Sequence, residues 1–295
     1  MLVQNDLISQ LQARYQSFSK SQKLIATYII ENYDRAAFIT ASRMGQTVGV
    51  SESTVVRFAY SVGYDGYPEL QRALQELIRN KLTSMQRIQL TSDLPRSDVL
   101  KTVLKYDMQN IRMTIDAIDN IAFEGAVNAL VNANNIYVIG MRNAYPIAQF
   151  LSYNLSFICG CVVSVNTTLF NACEQMAHTG EGDVCVAISF PRYSNRTVDA
   201  IEFAHSLGAT TIALTDSNSS PLIPFATYPL TARSDMVPFT DSLVAPLSLI
   251  NAIIVAVGLM RKEYLAEHFS RLENIWDRQK IYVKSTVPMR PQEDK

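Results

Sequence analysis

Apolar residues recur at helical spacing through the first third of the chain and gather into short continuous runs in the rest. Leu24, Ile25, Tyr28 and Ile29 fall on one face of a predicted helix that reaches about Asn32. Just ahead of it, Ser19 to Gln22 has the S-x-x-Q form of a capping box, in which side chains and backbone at a helix start satisfy one another. A second helix is predicted from Thr40 to Val48, broken by Gly49. Ser51 can cap a third, Glu52 to Ser61, which stops near Gly63. Pro68 suits the first turn of a fourth, continuing through Leu70, Leu74 and Leu77. Two short helices joined by a glycine-containing turn, the second capped by serine, form a helix-turn-helix pattern. On the third helix Val55, Phe58, Ala59 and Val62 share one side and face inward. Ser53, Arg57 and Tyr60 stand opposite, with Val56 and Ser61 at the edges. A cation, hydroxyls and a phenol on one exposed face can reach phosphates and base edges in a major groove. An ordinary solvated face with one arginine has the same composition, so the pattern alone leaves both readings open.

Leu94-Pro95-Arg96 then breaks the chain, and Ser97 stands where it could cap a long helix striped by Leu100, Leu104, Met108, Ile111, Ile115 and Ile118. That stripe suits packing on its own domain or on a second subunit. Five β-rich runs follow: Ile136–Ile139, Cys161–Val165, Val184–Ile188, Thr211–Leu214 and Thr227–Leu230. Helical stretches separate them, notably Thr197–Leu207, which ends at Gly208. Continuous apolar strands alternating with helices predict a parallel sheet covered on both faces. Ligands of such sheets bind beyond the carboxyl ends of the strands. Leu243 to Met260 is apolar apart from Pro246, Ser248 and Asn251, slightly short of the ~20 residues that cross a bilayer. It reads as a fully buried helix, with no membrane partner expected. A last helix is predicted from Arg261 to about Lys284, striped by Leu265, Phe269, Leu272 and Trp276 and extended by Val283. The tail from Ser285, with Pro288 and Pro291, is expected to be disordered. The chain thus divides into a helix-turn-helix domain at 1–83, a connector helix region at 84–120, an α/β domain at 121–262, and a C-terminal helix and tail at 263–295.

Composition narrows the class. A length of 295 residues, 48% of them hydrophobic, supports two packed domains and excludes a largely disordered chain. The net charge of -1 hides an asymmetry: through Arg87 there are 10 basic and 7 acidic residues, afterwards 16 and 20. The amino-terminal third leans toward an anionic partner and the remainder does not. The start, Met1 to Asp6, lacks a basic and apolar leader, which predicts a cytoplasmic protein. Four cysteines do not make a disulfide framework. Cys159 and Cys161 form a C-x-C with no second Cys/His pair nearby, so buried free thiols are expected rather than a metal site. No cofactor is implied.

Basic residues are scarce in the α/β region, and their positions are informative. No lysine occurs from Tyr106 to Met260, and beyond the connector helix only Arg142, Arg192, Arg196 and Arg233 appear. Each follows a predicted strand, which places all four at the carboxyl edge of the sheet. Helix N-termini at that edge already favour anions, and guanidinium groups add bidentate reach to a phosphate or carboxylate. The alternative is pairing with Glu174, Asp199, Asp235 or Asp241.

Three runs in the first domain carry a family resemblance: Ser17-Phe18-Ser19-Lys20-Ser21, Val50-Ser51-Glu52-Ser53-Thr54-Val55-Val56-Arg57-Phe58, and Gly63-Tyr64-Asp65-Gly66-Tyr67-Pro68-Glu69-Leu70. By these, residues Phe18 to Leu77 resemble the N-terminal domain of the RpiR family of bacterial transcriptional regulators. The resemblance implies that Ser51–Ser61 is the recognition helix, with Ser51, Ser53, Thr54, Arg57 and Tyr60 at double-stranded operator DNA. Tyr60-Ser61 departs from the basic residues frequent there and leaves this helix fewer phosphate contacts.

Asn135-Ile136-Tyr137-Val138-Ile139-Gly140, Glu181 to Ser189 and Gly208 to Asp216 resemble the sugar isomerase (SIS) domain that follows in the same family. The resemblance implies an all-α helix-turn-helix domain followed by an α/β SIS domain, a five-stranded parallel sheet with helices on both faces. It also implies a homo-oligomer, dimer or tetramer, sensing a phosphosugar. Two departures matter. The family's first loop runs G-x-G-x-S, and here it is Gly140-Met141-Arg142-Asn143-Ala144. The third-strand loop runs S-x-S-G-x-T, and here it is Ser189-Phe190-Pro191-Arg192-Tyr193-Ser194. Each loop loses a glycine and gains an arginine, and Pro191 removes a backbone donor. The expected effector is therefore a small anionic metabolite, phosphosugar or organic acid, held by Gly140, Arg142, Asn143, Ser189, Arg192, Ser194 and Arg196.

SIS domains also serve phosphosugar isomerases and lyases, which need a general base beside the substrate. His178 precedes the third strand, His205 falls late in a helix, and nothing places a partner acid beside Glu174. No catalytic residue is assigned, and a ligand-responsive regulator is expected rather than an enzyme.

Overall fold

The computed structural model describes residues 7–79, 85, 88, 95–166, 171–237 and 240–283. It divides into two compact units, residues 1–110 with 234–243, and residues 111–233 with 244–295. The last predicted tail, from Ser285, lies outside the described residues.

In the first unit the helices are α1 (Leu7–Arg14), α2 (Lys20–Glu31), α3 (Tyr33–Ala36), α4 (Ala41–Val48), α5 (Glu52–Ser61) and α6 (Tyr67–Arg79). Both halves of the capping box form at α2: Ser19 Oγ accepts from Gln22 N, and Ser19 N donates to Gln22 Oε1. Thr40 caps α4 rather than beginning it. Phe18, Ile25, Ile29, Met44, Phe58, Leu70 and Leu74 form the core, with Phe18 edge-on to Phe58 at 5.5 Å. The turn between α4 and α5 is built by two glycines. Gly49 sits at φ 75°, a conformation that side chains disfavour, and a Cβ on Gly45 would stand 2.7 Å from Val50 O. α6 grips the chain after α3. Tyr67 donates to Ile39 O at 2.8 Å, Gln71 Nε2 to the same oxygen at 2.9 Å, and Gln75 Nε2 to Ala37 O at 2.8 Å.

Helix α7 (Val99–Ala117) starts without the expected serine cap. Ser97 lies inside a 3-10 turn, Arg96–Asp98, that extended Pro95 initiates, and its hydroxyl donates to Asp98 Oδ1. Within this unit α7 holds the 234–243 segment. Asn110 Nδ2 donates to Asp235 O at 3.2 Å, Asp235 N donates to Asn110 Oδ1 at 3.3 Å, and Ser242 Oγ donates to Asp107 Oδ1 at 2.6 Å. Met236 from that segment packs against the helical core.

The second unit holds strands β1 (Ile136–Gly140), β2 (Val162–Val165), β3 (Val184–Ile188), β4 (Thr210–Thr215) and β5 (Tyr228–Thr231), all parallel in the order β2-β1-β3-β4-β5. The predicted strands are recovered to within a residue or so at each end. Its helices are α8 (Asn120–Asn132), α9 (Tyr145–Ile158), α10 (Ala172–Gln175), α11 (Asn195–Ser206), α12 (Val244–Met260) and α13 (Lys262–Gln279). Tyr137, Ile139, Cys185, Ala187 and Ala213 face Ala172, Ala200, Ile201 and Ala204 of α10 and α11. α12 packs against both α8 and α9, with α8 also against β5 and α9 against β1 and β2. Strand alternation thus feeds two apolar layers, one on each face of the sheet.

Three expectations need correction. α12 is not fully buried: Ala245, Leu249, Ile250, Ile253 and Val257 are, while Val255, Leu259 and Met260 are exposed, because its neighbours cover one face only. α13 ends at Gln279, where Lys280 turns left-handed, rather than near Lys284. Of the C-x-C pair Cys159 is buried but Cys161, at the entrance to β2, is exposed. The thiol of fully buried Cys185 is pushed up to about 12 by loss of water, which makes it inert. Among the described residues no single helix is long and apolar enough to cross a membrane, and no cluster of three metal-ligating side chains occurs.

Candidate functional site

The outward face of α5 is built as its spacing implies. Val55, Phe58 and Ala59 are buried, whereas Ser53, Arg57 and Tyr60 are exposed. Ser51 Oγ accepts from Thr54 N at 3.3 Å and lies within 2.9 Å of both the Ser53 and Thr54 hydroxyls. Ser51 and Thr54 therefore serve the helix start, and Arg57 and Tyr60 carry the reach. The far end is clamped by residues that spacing did not single out. Arg14 Nη2 donates to Ser61 O at 2.8 Å, and Gln22 Nε2 donates to Ser61 Oγ at 3.1 Å. A cation at a helix C-terminus meets the negative end of its dipole. Arg14 is separated from Ser61 by 47 residues, so no local pattern announces the pair.

In the sheet, β1 runs to β2 on one side and, by crossover, to β3 on the other, so the strand order reverses between β1 and β3. That reversal opens a crevice at the carboxyl edge. All four edge arginines follow strands there: Arg142 after β1, Arg192 and Arg196 after β3, Arg233 after β5. Arg142 and Arg192 share a feature that sequence reasoning did not foresee. They sit at φ 58° and φ 67°, in left-handed backbone that disfavours any side chain by about 1–2 kcal/mol per residue. The backbone has kept the conformation a glycine would take, and arginine occupies it.

Both loops feed helices whose first turns lack a side-chain cap. α9 begins after Ala144, and α11 begins after Ser194, whose hydroxyl caps nothing. At α9 the Tyr145 N–H already donates to Arg142 O and Pro146 carries no N–H, so the helix start that favours an anion is that of α11. Buried Ser189 accepts from Ser194 N at 3.2 Å, so its oxygen braces the loop. Asn143, Arg142, Arg192 and Arg196 are exposed and Ser194 is half-buried. Gly140 has a packing reason to lack a side chain, because a Cβ there would stand 2.8 Å from Ala148 Cβ and 2.9 Å from Ala144 O. Arg233 is half-buried, and its backbone N donates to Thr114 Oγ1 at 2.9 Å. The structure adds Tyr193, which donates to Oδ1 of buried Asp216 at 2.7 Å and ties the β3 loop to the end of β4.

Of the residues weighed as a general base, Glu174 and His205 are engaged elsewhere and His178 lies ahead of β3. Glu174 Oε2 accepts from Asn171 N in the capping box of α10. His178 is exposed ahead of β3, and His205 lies edge-on to Phe225 at 6.4 Å late in α11.

Comparison with known proteins agrees with both halves. Residues 5–81 match the family model "Helix-turn-helix domain, rpiR family", and residues 129–256 match "SIS domain". An uncharacterized HTH-type transcriptional regulator of Haemophilus influenzae is 29% identical over 78% of this chain and 81% of its own length. The HTH-type transcriptional regulator HexR of Pseudomonas aeruginosa is 26% identical over 91% and 94%. Among solved structures, Vibrio vulnificus NanR complexed with ManNAc-6P superposes with a TM-score of 0.58 at 21% identity, covering 94% of this chain and 100% of that one.

Proposed function

This chain belongs to the RpiR family and is a DNA-binding transcriptional regulator carrying a SIS domain, and we propose that it responds to a small anionic metabolite gripped by Arg142 and Arg192. The observation that carries this reading is the left-handed backbone at both arginines. Two strained residues on the two loops of one switch point are better accounted for by a ligand than by packing, because both side chains are exposed. The uncapped start of α11, with Asn143, Ser194 and Arg196, completes an anion-binding edge. The phosphosugar in the NanR complex makes phosphate one arm of the test and carboxylate the other. At the DNA, Arg57 is the cation of the recognition face, with Tyr60 and Ser53 beside it, reading half-sites as a homo-oligomer.

The effector reading is tested by calorimetry with sugar phosphates including N-acetylmannosamine 6-phosphate, small sugar acids, and the neutral parent sugars. Binding by an anionic member and by no neutral one is expected. Arg142→Ala and Arg192→Ala should each weaken it at least about tenfold, the loss expected for a charge-assisted hydrogen bond. Wild-type binding by both variants would place the ligand elsewhere.

A further inference from the structure

The recognition helix ends without a cation of its own, and the chain around that end supplies three. Arg57 is the one basic residue in Glu52–Ser61, and the last turn holds none. Ser53, Arg57 and Ser61 recur every four residues and share an arc of roughly 80° at about 100° per residue. Ser61 thus closes the ridge on which Arg57 stands, one turn further along. Two side chains from outside the helix meet it there. Arg14 Nη2 donates to Ser61 O at 2.8 Å, and Gln22 Nε2 to Ser61 Oγ at 3.1 Å. Arg14 is exposed, and that carbonyl takes only one of the N–H donors that a guanidinium carries.

The same end gathers two lysines. Lys23 Nζ stands 5.7 Å from the centroid of the Tyr15 ring and Arg14 Cζ 5.9 Å from that of Phe18, both within cation–π range. Tyr15 is fixed in turn, its hydroxyl 2.7 Å from Thr27 Oγ1. Tyr15, Phe18, Lys20 and Lys23 line one open cleft of about 700 Å³, together with Leu24 and Glu31. Among the described residues, none of Arg14, Lys20 and Lys23 forms an ion pair. Like charges gathered on one surface repel, so the arrangement favours an anionic partner. Cations already steadied by rings and a carbonyl lose less freedom when they meet one.

We propose that Arg14, Lys20 and Lys23 form a phosphate-binding ridge that carries the DNA backbone past the C-terminal end of the recognition helix. Charge and continuity select this occupant. A duplex lying along Ser53, Arg57 and Ser61 meets Arg14 where α5 ends, and α2, which bears both lysines, is tied to the same serine through Gln22. Contacts to phosphate fix position and add affinity without reading sequence. The inference rests on α5 being the recognition helix and not on the ligand reading above.

The test is an anisotropy titration of the full chain on an operator selected from random duplexes and on a scrambled duplex, from about 50 to 200 mM salt. Lys20→Gln and Lys23→Gln should each lower the slope of log K against log[salt] by about 0.9 and weaken both duplexes alike. Arg14→Gln should do the same. Arg14→Lys keeps the charge and should keep the slope, even where the lost clamp on Ser61 lowers Tm. Over this salt range the triple Gln variant should lose about fortyfold less affinity than the parent. Lys262→Gln on α13, a cation outside the helical unit, should leave the slope unchanged. Arg57→Ala, run in parallel, reports on the recognition face separately, because it should alter the preference for operator over scrambled duplex. Parent slopes in the Lys20 and Lys23 variants would overturn the ridge and turn the cleft toward an acidic protein surface. A loss confined to the operator, or an equal change of slope in Lys262→Gln, would overturn it as well.

Discussion

Gly49 in the helical unit and the arginine pair in the α/β unit occupy nearly the same backbone conformation, φ 75° against φ 58° and φ 67°. Between α4 and α5 the turn needs only its shape, and a Cβ on Gly49 would point into open space. After β1 and β3 the turn has the same need, yet arginine stands there. The difference separates two uses of one turn. In the helical unit, geometry and chemistry are divided between residues: Gly49 shapes the turn, Ser51 caps, and Arg57 reaches outward from an unstrained helix. In the proposed reading of the α/β unit one residue does both, and the strain is accepted for the side chain it presents.

The largest expected effect tests the division in the helical unit. Arg57→Ala should weaken binding to an operator selected from random duplexes by about 1–3 kcal/mol if the guanidinium reads a base edge, with no change in Tm. A salt-controlled anisotropy titration measures this. Unchanged affinity would take Arg57 out of the interface, and a lower Tm would show that chemistry and geometry are not divided there.

Next in size, Gly49→Ala should lower stability by about 1–2 kcal/mol in urea, since alanine at this φ meets the backbone clash that glycine avoids. The same reasoning reverses in the other unit. Arg142→Gly and Arg192→Gly should each relieve that clash, partly offset by the extra freedom of glycine in the unfolded chain, for a net gain of about 0.5–1 kcal/mol. Both should lose affinity for the anionic ligand. A destabilised Arg192→Gly variant would mean that the arginine serves packing.

What the sequence discloses follows from the range of each interaction. The helix-turn-helix is legible because its signals are local: the Ser19–Gln22 box, Gly49 and Ser51 act within a few residues of one another. The strands are legible because burial on both faces leaves continuous apolar runs such as Val184–Ile188. Arg142 and Arg192 are legible as departures from glycine, although their positive φ is not. Contacts between distant residues leave no such trace. The Arg14 clamp on Ser61, the Tyr193–Asp216 bond and the Asn110 bracket around Asp235 join positions 47, 23 and 125 residues apart. Ser97 misleads because a serine ahead of an apolar stripe looks like a cap whether or not the backbone before it can turn that way.

The smallest effect separates the two serines that open α5 and α11. Both stand at the N-cap position with extended backbone, φ -73° at Ser51 and φ -83° at Ser194. Only Ser51 turns its hydroxyl to the helix, accepting from Thr54 N at 3.3 Å; Ser194 makes no cap bond, and its own N–H is taken by Ser189. Ser51→Ala should therefore cost about 1 kcal/mol, the ordinary loss of a cap. Ser194→Ala should change stability by less than about 0.5 kcal/mol, as no intramolecular cap is removed. If the hydroxyl is kept for a ligand, that variant should weaken anion binding several-fold while its Tm without ligand stays at the wild-type value. The two substitutions are chemically identical, so the contrast isolates what each hydroxyl is for. Equal stability losses would mean that Ser194 caps α11 in solution, and the start of that helix would then be closed to an anion.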